Sequence, residues 1–395
     1  VTAKKCKVRG AFSREAFANQ EAKIVSAINS LGADVVALEE IENPVAVGVG
    51  MDRDASLARL VEALNKAAGS GTWAYVPSPK TVPASEDVIR VAFIYKPATV
   101  TPVGESLIDD DPAFTGLARQ PLAQEFARVT AQRSAPASFV VIANHFKSKG
   151  SVPEGAGEGN VDNGDGQGNA NAIRVAQAQA LASFAARFSD KPTLLVGDFN
   201  SYSQEDPIKV LETAGWAHVS GAGEASYVYS GRSGSLDHVF ANAAAKPLLA
   251  GVTSWAVNAQ ESIAFEYLRA GMNALLSVEA DNPYRSSDHN PEVIGLTLSG
   301  EEDPAPVPSA DPSADPTNEP SPAPASSQAP SPAPQRGLSQ GTTASPRTTP
   351  SRQTRTPSTL ARTGTDADRA VGLGVLLAAA GGGLLLVARR VRRRG

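Results

Sequence analysis

Seven polar residues close or interrupt short apolar runs: Glu40, His145, Asp198, Asn200, Asp237, Asp288 and His289. The sharpest case is Thr193-Leu194-Leu195-Val196-Gly197-Asp198-Phe199-Asn200, a β-favouring run that stops at a glycine and then delivers an aspartate and an asparagine. A buried strand carries such groups at its tip when they hydrogen-bond, hold a metal or do chemistry. Each residue alone has an ordinary reading. Asp198 and Asn200 could cap a turn, Glu40 could be a solvated carboxylate, His145 or His289 a core histidine, and Asp237 half of an ion pair. The chain has only four histidines, however, and three of them sit on these strand tips beside Asp or Asn. Seven such coincidences favour a functional site.

The chemistry that suits the set is phosphoryl transfer assisted by a hard metal. Carboxylate and amide oxygens without thiolates favour Mg2+ or Mn2+ over zinc, with Ca2+ as a further candidate. Hydrolysis of a phosphodiester needs an aligned water, a charge clamp on the phosphoryl oxygens and help for the leaving alkoxide. A histidine beside a carboxylate serves as clamp or proton carrier, because the carboxylate sets the tautomer and stabilises the charged ring.

Alternating helix and strand patterns must position these groups. Phe17, Ile24, Val25, Ile28 and Leu31 form one helical face between Ser13 and Leu31, and Gly32 ends it. Asp34 to Leu38 reads as a strand running into Glu39-Glu40-Ile41-Glu42-Asn43. A helix from about Ala55 to Ala68 carries the stripe Leu57, Leu60, Val61, Leu64. Strands follow at Val91–Tyr95 and Phe139–Ala143, the second ending in Asn144-His145-Phe146-Lys147. The Gly-, Asn- and Asp-rich stretch 150–169 reads as a mobile loop near the site, and Ala170 to Phe188 as a helix. Later strands are expected at Leu236–Phe240 and Val293–Leu298. No linker interrupts this pattern before Ser299, which predicts one catalytic domain over residues 1–299.

Composition sets limits. The first 300 residues hold 25 Lys and Arg against 33 Asp and Glu, so this region is no general polyanion binder and must grip any phosphate locally or through metal. The single cysteine, Cys6, excludes an internal disulfide and a cysteine zinc cluster. The chain opens without Met or a signal peptide and reads as starting inside a longer parent.

Val35-Val36-Ala37-Leu38-Glu39-Glu40, Asn144-His145, Gly197-Asp198-Phe199-Asn200, Leu236-Asp237-His238 and Ser287-Asp288-His289 occur in the order of the endonuclease/exonuclease/phosphatase superfamily, which the chain resembles. Arg9-Gly10, Glu40-Ile41-Glu42-Asn43, Phe93-Ile94-Tyr95-Lys96-Pro97, His145-Phe146-Lys147-Ser148-Lys149 and Arg285-Ser286-Ser287-Asp288-His289 look like its extracellular nuclease branch typified by ExeM and NucH. The resemblance implies a DNase I-like α/β (α+β) fold, a four-layer α-β-β-α sandwich. It implies Glu40 as principal metal ligand with Asp288 beside the metal. Asp198 orients or deprotonates the attacking water, and Asn200 holds that water or the phosphate. His289, oriented by Asp237, contacts the phosphate, and His145 assists the transition state or leaving group. Asp198 and His289 both remain candidates for the general base. The family's first strand, with an asparagine facing the metal, is expected upstream of this chain. The family's glutamine before the metal glutamate is Glu39 here, which adds negative charge. The implied activity is a monomeric, metal-dependent nuclease acting on nucleic acid, DNA favoured. A phosphatase or phosphodiesterase on nucleotides or lipid head groups is the alternative, and an inactive surface adhesin the third reading.

After Ser299 the composition changes. Fourteen of the 29 prolines lie between Glu301 and Thr359 among Ser, Ala and Thr, so residues 300–359 read as a disordered stalk. Residues 360–395 open with Leu360-Ala361-Arg362-Thr363-Gly364, continue with an apolar run at 370–388 long enough for one transmembrane helix, and end in Arg389-Arg390-Val391-Arg392-Arg393-Arg394. This order resembles the sorting signals read by bacterial sortases, with Ala361 where proline is commoner, a variant of high-GC Gram-positive bacteria. The resemblance implies cleavage between Thr363 and Gly364 and attachment of Thr363 to peptidoglycan, leaving the domain extracellular and wall-anchored. The simple alternative is a single-span anchor. Sortase processing predicts that muramidase-released protein ends at Thr363 by mass spectrometry and that Thr363→Ala stays in the membrane fraction. Recovery of the intact Arg-rich terminus from detergent extracts, with none in the wall, would show a membrane anchor instead.

Overall fold

Helix α1 (Arg14–Ser30) starts where the Ser13 hydroxyl accepts a hydrogen bond from the Ala16 amide at 3.1 Å. The computed structural model describes residues 11, 13–129, 137–220, 225–266 and 282–298. The expected stalk, sorting pentapeptide and apolar run lie outside them, as does Cys6. Among the described residues no helix is long and apolar enough to cross a membrane.

Strand β1 (Val35–Glu42) leads through the short α2 (Pro44–Val47), capped by Asn43, into α3 (Ala55–Ala68). Next come β2 (Ala74–Tyr75), β3 (Ile89–Tyr95), β4 (Val100–Ile108), β5 (Arg119–Arg128) and β6 (Ser138–His145). Helix α4 (Asn171–Ala185) crosses over to β7 (Thr193–Asp198), followed by α5 (Asp206–Thr213), β8 (Ala217–His218), the hairpin strands β9 (Tyr227–Tyr229) and β10 (Arg232–Gly234), β11 (Asp237–Ala241), β12 (Leu249–Ser254) and β13 (Glu292–Leu296).

These strands form a three-stranded sheet in the order β1-β3-β2 and a six-stranded sheet in the order β4-β5-β6-β7-β11-β8, with two further pairs, β9-β10 and β12-β13. Alternation along each strand splits its side chains between two faces. Val91 and Phe93 of β3 meet Phe126, Val141, Ala143, Leu194, Val196 and Val239 of the large sheet, with Ile294 and Leu296 of β13 joining them. Ala92 and Ile94 point the other way, onto Ile28 of α1 and Leu57, Val61 and Leu64 of α3. On the far side, Val140, Ile142, Leu195 and Phe240 of the large sheet pack against Ala178, Leu181 and Phe184 of α4 and Ile208 and Leu211 of α5. The order is helix, sheet, sheet, helix.

Three buried cations tie distant pieces to this frame. Lys23 of α1 is fully buried and donates to Asn282 Oδ1 at 3.0 Å and the Tyr284 carbonyl at 3.1 Å, which fastens the segment leading to Asp288 and His289. Arg174 of α4 donates to the carbonyls of Asn169 at 2.6 Å and Gln167 at 2.9 Å, and Lys149 pairs with Glu205 while reaching the Gln167 carbonyl at 3.0 Å. The stretch 150–169, expected as a mobile loop, is therefore held at its C-terminal end by hydrogen bonds to buried cations.

Phe126 stands at the centre of the sheet–sheet core, with ring centroids of Phe93, Tyr95 and Phe139 at 5.7, 6.1 and 6.1 Å. Phe126→Ala is expected to lower the unfolding free energy by about 3–5 kcal/mol, the usual cost of emptying a buried aromatic site. Urea denaturation followed by circular dichroism checks this, and an unshifted midpoint would place the ring outside the principal core.

Candidate active site

Four neighbouring strands of the large sheet each bring one polar residue to the same row. Arg119 of β5 pairs in register with His145 of β6, His145 with Asp198 of β7, and Asp198 with Asp237 of β11. Register partners share a face, and here it is the face turned toward the smaller sheet. Arg119, His145 and Asp198 are buried. Gly197 permits the close approach: its φ is +124°, and a Cβ there would collide with the Asn144 carbonyl and come within 2.9 Å of Glu39 Oε1.

Asn200 clasps Asp198. Its amide N–H donates to Asp198 Oδ1 at 2.7 Å and its Nδ2 donates to Oδ2 at 2.8 Å and to the Phe146 carbonyl at 3.1 Å. This needs a left-handed backbone, φ +47°, which asparagine tolerates better than most residues. His145 Nε2 lies 3.5 Å from Asp198 Oδ2. Opposite, His289 Nδ1 is 2.7 Å from Asp237 Oδ2, and the His289 ring lies 4.6 Å from the Tyr227 ring. With Nδ1 engaged, Nε2 is the atom His289 presents to a ligand.

Electrostatics follow from this crowding. Burial would depress the His289 pKa, but the charge and hydrogen bond of Asp237, helped by Asp198 and Asp288, hold it well above the ordinary imidazole value. Burial likewise opposes the ionised Asp237, yet His289 wins and keeps its pKa below the usual carboxylate value. Burial pushes Asp198 the other way, upward, with Asp237 adding to the rise and His289 opposing it.

Strand β1 supplies carboxylates from the other sheet. Its register shifts between Leu38 and Ile41, and Glu40 in this bulge takes φ +57°. The resemblance makes Glu40 the principal metal ligand. The structure leaves it at the rim, its side chain 60% exposed, with Oε1 3.7 Å from Arg119 Nη2. Glu39 faces the row instead: burial first, then the charges of Asp237 and Asp198, push its carboxyl up to about 8.

Ligand atoms of Asp198, Asp237 and His289 all lie within 4.8 Å of one another. Two carboxylates and no thiolate fit a hard divalent cation, whereas His289, held protonated by Asp237, would leave the ligation to them. Glu40 and Asp288 stand outside that group, although the Asp288 charge acts on both His289 and Tyr227. The structure thus brings together His145, Asp198, Asn200, Asp237 and His289, with Glu40 and Asp288 at the edge. Thr363 and Gly364 lie outside the described residues.

His238 turns away from the site despite its place in Leu236-Asp237-His238. Its Nε2–H donates to the Ser201 carbonyl at 2.8 Å, and its Nδ1 lies 2.9 Å from His218 Nε2. Burial drops its pKa to about 4, so it is a neutral core histidine. Arg119 and Ser226 are site neighbours that motif reading passed over, and Glu39, singled out there for its negative charge, is the carboxylate of β1 that faces the row. Arg119 heads a strand with no clear apolar alternation, and its one usable signal is a basic residue just before Gln120-Pro121-Leu122.

A family model described as Endonuclease/Exonuclease/phosphatase family matches residues 8–289. No curated protein sequence matches the chain. Among solved structures, D. rerio TDP2 complexed with a single-strand DNA product is 15% identical, with 74% of this chain and 96% of that chain covered at a TM-score of 0.45. The mannosyl-6-phosphatase of Bacteroides thetaiotaomicron is 11% identical, with coverage of 74% and 97% at 0.43. The human nocturnin catalytic domain with bound sulfate is 15% identical, with coverage of 71% and 87% at 0.40. Likenesses at these scores carry no conclusion about substrate.

The raised Glu39 pKa has a consequence for stability. Native Glu39 keeps its proton to higher pH than the unfolded chain does, so the native state binds more protons between the model-peptide value of 4.5 and about 8, and stability falls as pH rises through that window. Glu39→Gln removes the penalty. In EDTA at pH 8 the variant should melt at least about 3 °C higher, the shift that about 1 kcal/mol produces in a domain of this size, and should change little at pH 4. Equal melting temperatures at pH 8 by calorimetry would place the Glu39 carboxylate in solvent.

Proposed function

We propose, from the premise that this chain belongs to the endonuclease/exonuclease/phosphatase family, that it is a cell-surface, metal-dependent nuclease hydrolysing phosphodiester bonds of extracellular nucleic acid, DNA foremost. The observation that carries this reading is the row Arg119–His145–Asp198–Asp237 capped by His289. In it the Asp198 carboxylate stands between His145 and His289, with the Arg119 guanidinium at one end, an arrangement that supports the water-orienting role.

In this reading Asp198, fixed by Asn200, aligns the attacking water and accepts its proton. A carboxylate whose pKa is raised by burial is a better base for that task than an ordinary one. His289, held charged by Asp237, donates from Nε2 to a phosphoryl oxygen and stabilises the charge that grows there. His145, 3.5 Å from Asp198, is the remaining group to assist the leaving oxygen. Arg119 adds positive potential. A Mg2+ or Mn2+ ion, held by the carboxylates at this end of the sheets, would supply Lewis-acid stabilisation of the phosphoryl charge. Beyond His289 the buried ring of Tyr227 lies 6.4 Å from the half-buried ring of Tyr229, 16° from coplanar, and Tyr229 suits the face of a base.

The acidic balance of the first 300 residues favours a second reading, a phosphatase or phosphodiesterase on nucleotides or lipid head groups. An adhesin has no use for the intact Asp237–His289 pair. The C-terminal pentapeptide, apolar run and arginines support sortase and peptidoglycan as partners, with the stalk, up to about 180 Å if extended at polyproline spacing, carrying a monomeric enzyme outward.

Plasmid degradation and phosphate release from nucleotides, each with Mg2+ and with EDTA, separate these readings. Plasmid cleavage abolished by EDTA is expected. Asp198→Ala and His289→Ala in the full-length protein should each lower hydrolysis at least about a hundredfold without unfolding it. Wild-type turnover in either folded variant would sink the assigned roles.

A further inference from the structure

Ser226 belongs to none of the motifs, yet it touches Asp237 with its side chain and the segment that carries His289 with its backbone. It is fully buried. Its Oγ lies 2.6 Å from Asp237 Oδ2, 3.1 Å from the Leu236 amide nitrogen and 3.2 Å from the Asp237 amide nitrogen. A hydroxyl has one proton and two lone pairs. The two amides can only donate, so they occupy the lone pairs. The single proton is left for Asp237 Oδ2, and an ionised carboxylate can only accept. The direction of this hydrogen bond is therefore forced by its neighbours.

The same Oδ2 accepts the Nδ1–H of His289 at 2.7 Å. Ser226 also holds the histidine side through its main chain. Its carbonyl accepts from the Asn290 amide at 2.8 Å, and the next residue, Tyr227, forms a β-bridge with His289. Asn290 Nδ2 reaches back to the Ala225 carbonyl at 2.9 Å. One residue thus grips the carboxylate with its side chain and the histidine-bearing segment with its backbone.

We infer that Ser226 is a positioning residue that extends the pair into a relay, Ser226–Asp237–His289, and selects which carboxylate oxygen faces the imidazole. The Ser226 proton keeps that oxygen in the plane of the His289 ring and restrains the carboxylate from turning about its Cβ–Cγ bond. The inference rests on the phosphoester-hydrolase reading of the site. A serine that merely satisfies two buried amides would occupy the same place, and the two roles differ in how they couple to Asp237.

The test uses the full-length protein with Mg2+, plasmid DNA and bis(p-nitrophenyl) phosphate. Ser226→Ala should lower kcat about tenfold or more with little change in KM, the usual scale for losing an outer hydrogen bond to a working side chain. In an Asp237→Ala background the same substitution should cost nothing further. Ser226→Cys, which keeps the volume and a weak donor, should fall between and serves if the alanine variant does not fold. Independently of turnover, the His289 Nδ1 proton should resonate far downfield in the wild type and move upfield in either variant. An equal kcat loss with and without Asp237, or an unmoved His289 proton in a folded variant, would overturn the relay. A wild-type protein that hydrolyses neither substrate would sink the enzymatic reading, while the proton resonance would still judge the relay.

Discussion

Everything at the site depends on the register of four adjacent strands. β6 and β7 run parallel, so their carboxyl ends arrive on the same side of the sheet and deliver His145 and Asp198 together. β5 and β11 flank them antiparallel, and each contributes its first residue, Arg119 and Asp237, to that edge. Ends of two strands and beginnings of two others therefore coincide in one row. A slip of one residue in any ladder would turn that strand's side chain to the opposite face, among Phe146, Phe199 and the helices. The parallel pair needs the crossover through α4, and the buried Arg174 ties that helix to the chain arriving from β6. The geometry of the row is thus a by-product of how the apolar strands pack, and few side chains are devoted to it.

The smaller sheet contributes differently. Its strand β1 turns Glu39 to the row by the same alternation that sends Val35 and Ala37 into the sheet–sheet core, and a bulge between Leu38 and Ile41 then resets that alternation. Without that extra residue, Glu39 and Glu40 would point to opposite faces as neighbours on a strand must. With it, one carboxylate enters the row and the other meets Arg119 at the rim. Both sheets must stay docked for the site to exist. The aromatic cluster around Phe126 and the bond from Lys23 to the segment before His289 are part of the site in this mechanical sense.

Much of this was legible in the residues. Strands with continuous apolar runs, such as Val91–Tyr95 and Thr193–Asp198, announce themselves because both faces are buried. The motifs at their ends located His145, Asp198, Asn200, Asp237 and His289. β5 did not announce itself. Gln120, Gln124 and Glu125 interrupt its pattern, and the burial of the two glutamines is made tolerable by bonds such as Gln120 to the Ser85 carbonyl at 3.0 Å and Gln124 to the Val103 carbonyl at 3.2 Å. Such partners come from distant sequence and leave no periodic trace. The same holds for Ser226, whose partners Asp237 and Asn290 lie eleven and sixty-four positions away. His238 shows the opposite failure. It sits in a motif, but strand alternation sends it to the helical face, where His218 and the Ser201 carbonyl satisfy it.

Gly197 and Glu39 share a small volume, since a side chain at 197 would take the space that the Glu39 carboxylate fills. Position 197 is therefore one residue wide in sequence space, while position 39 is open to any side chain of similar length. A lineage can change the charge of the site by one without moving a single backbone atom, by exchanging glutamate for glutamine at 39. The backbone of β6 and β7 beneath Glu39 acts as a socket with one fixed wall and one interchangeable plug, and drift in the charge of the site among descendants of this protein would enter through the plug.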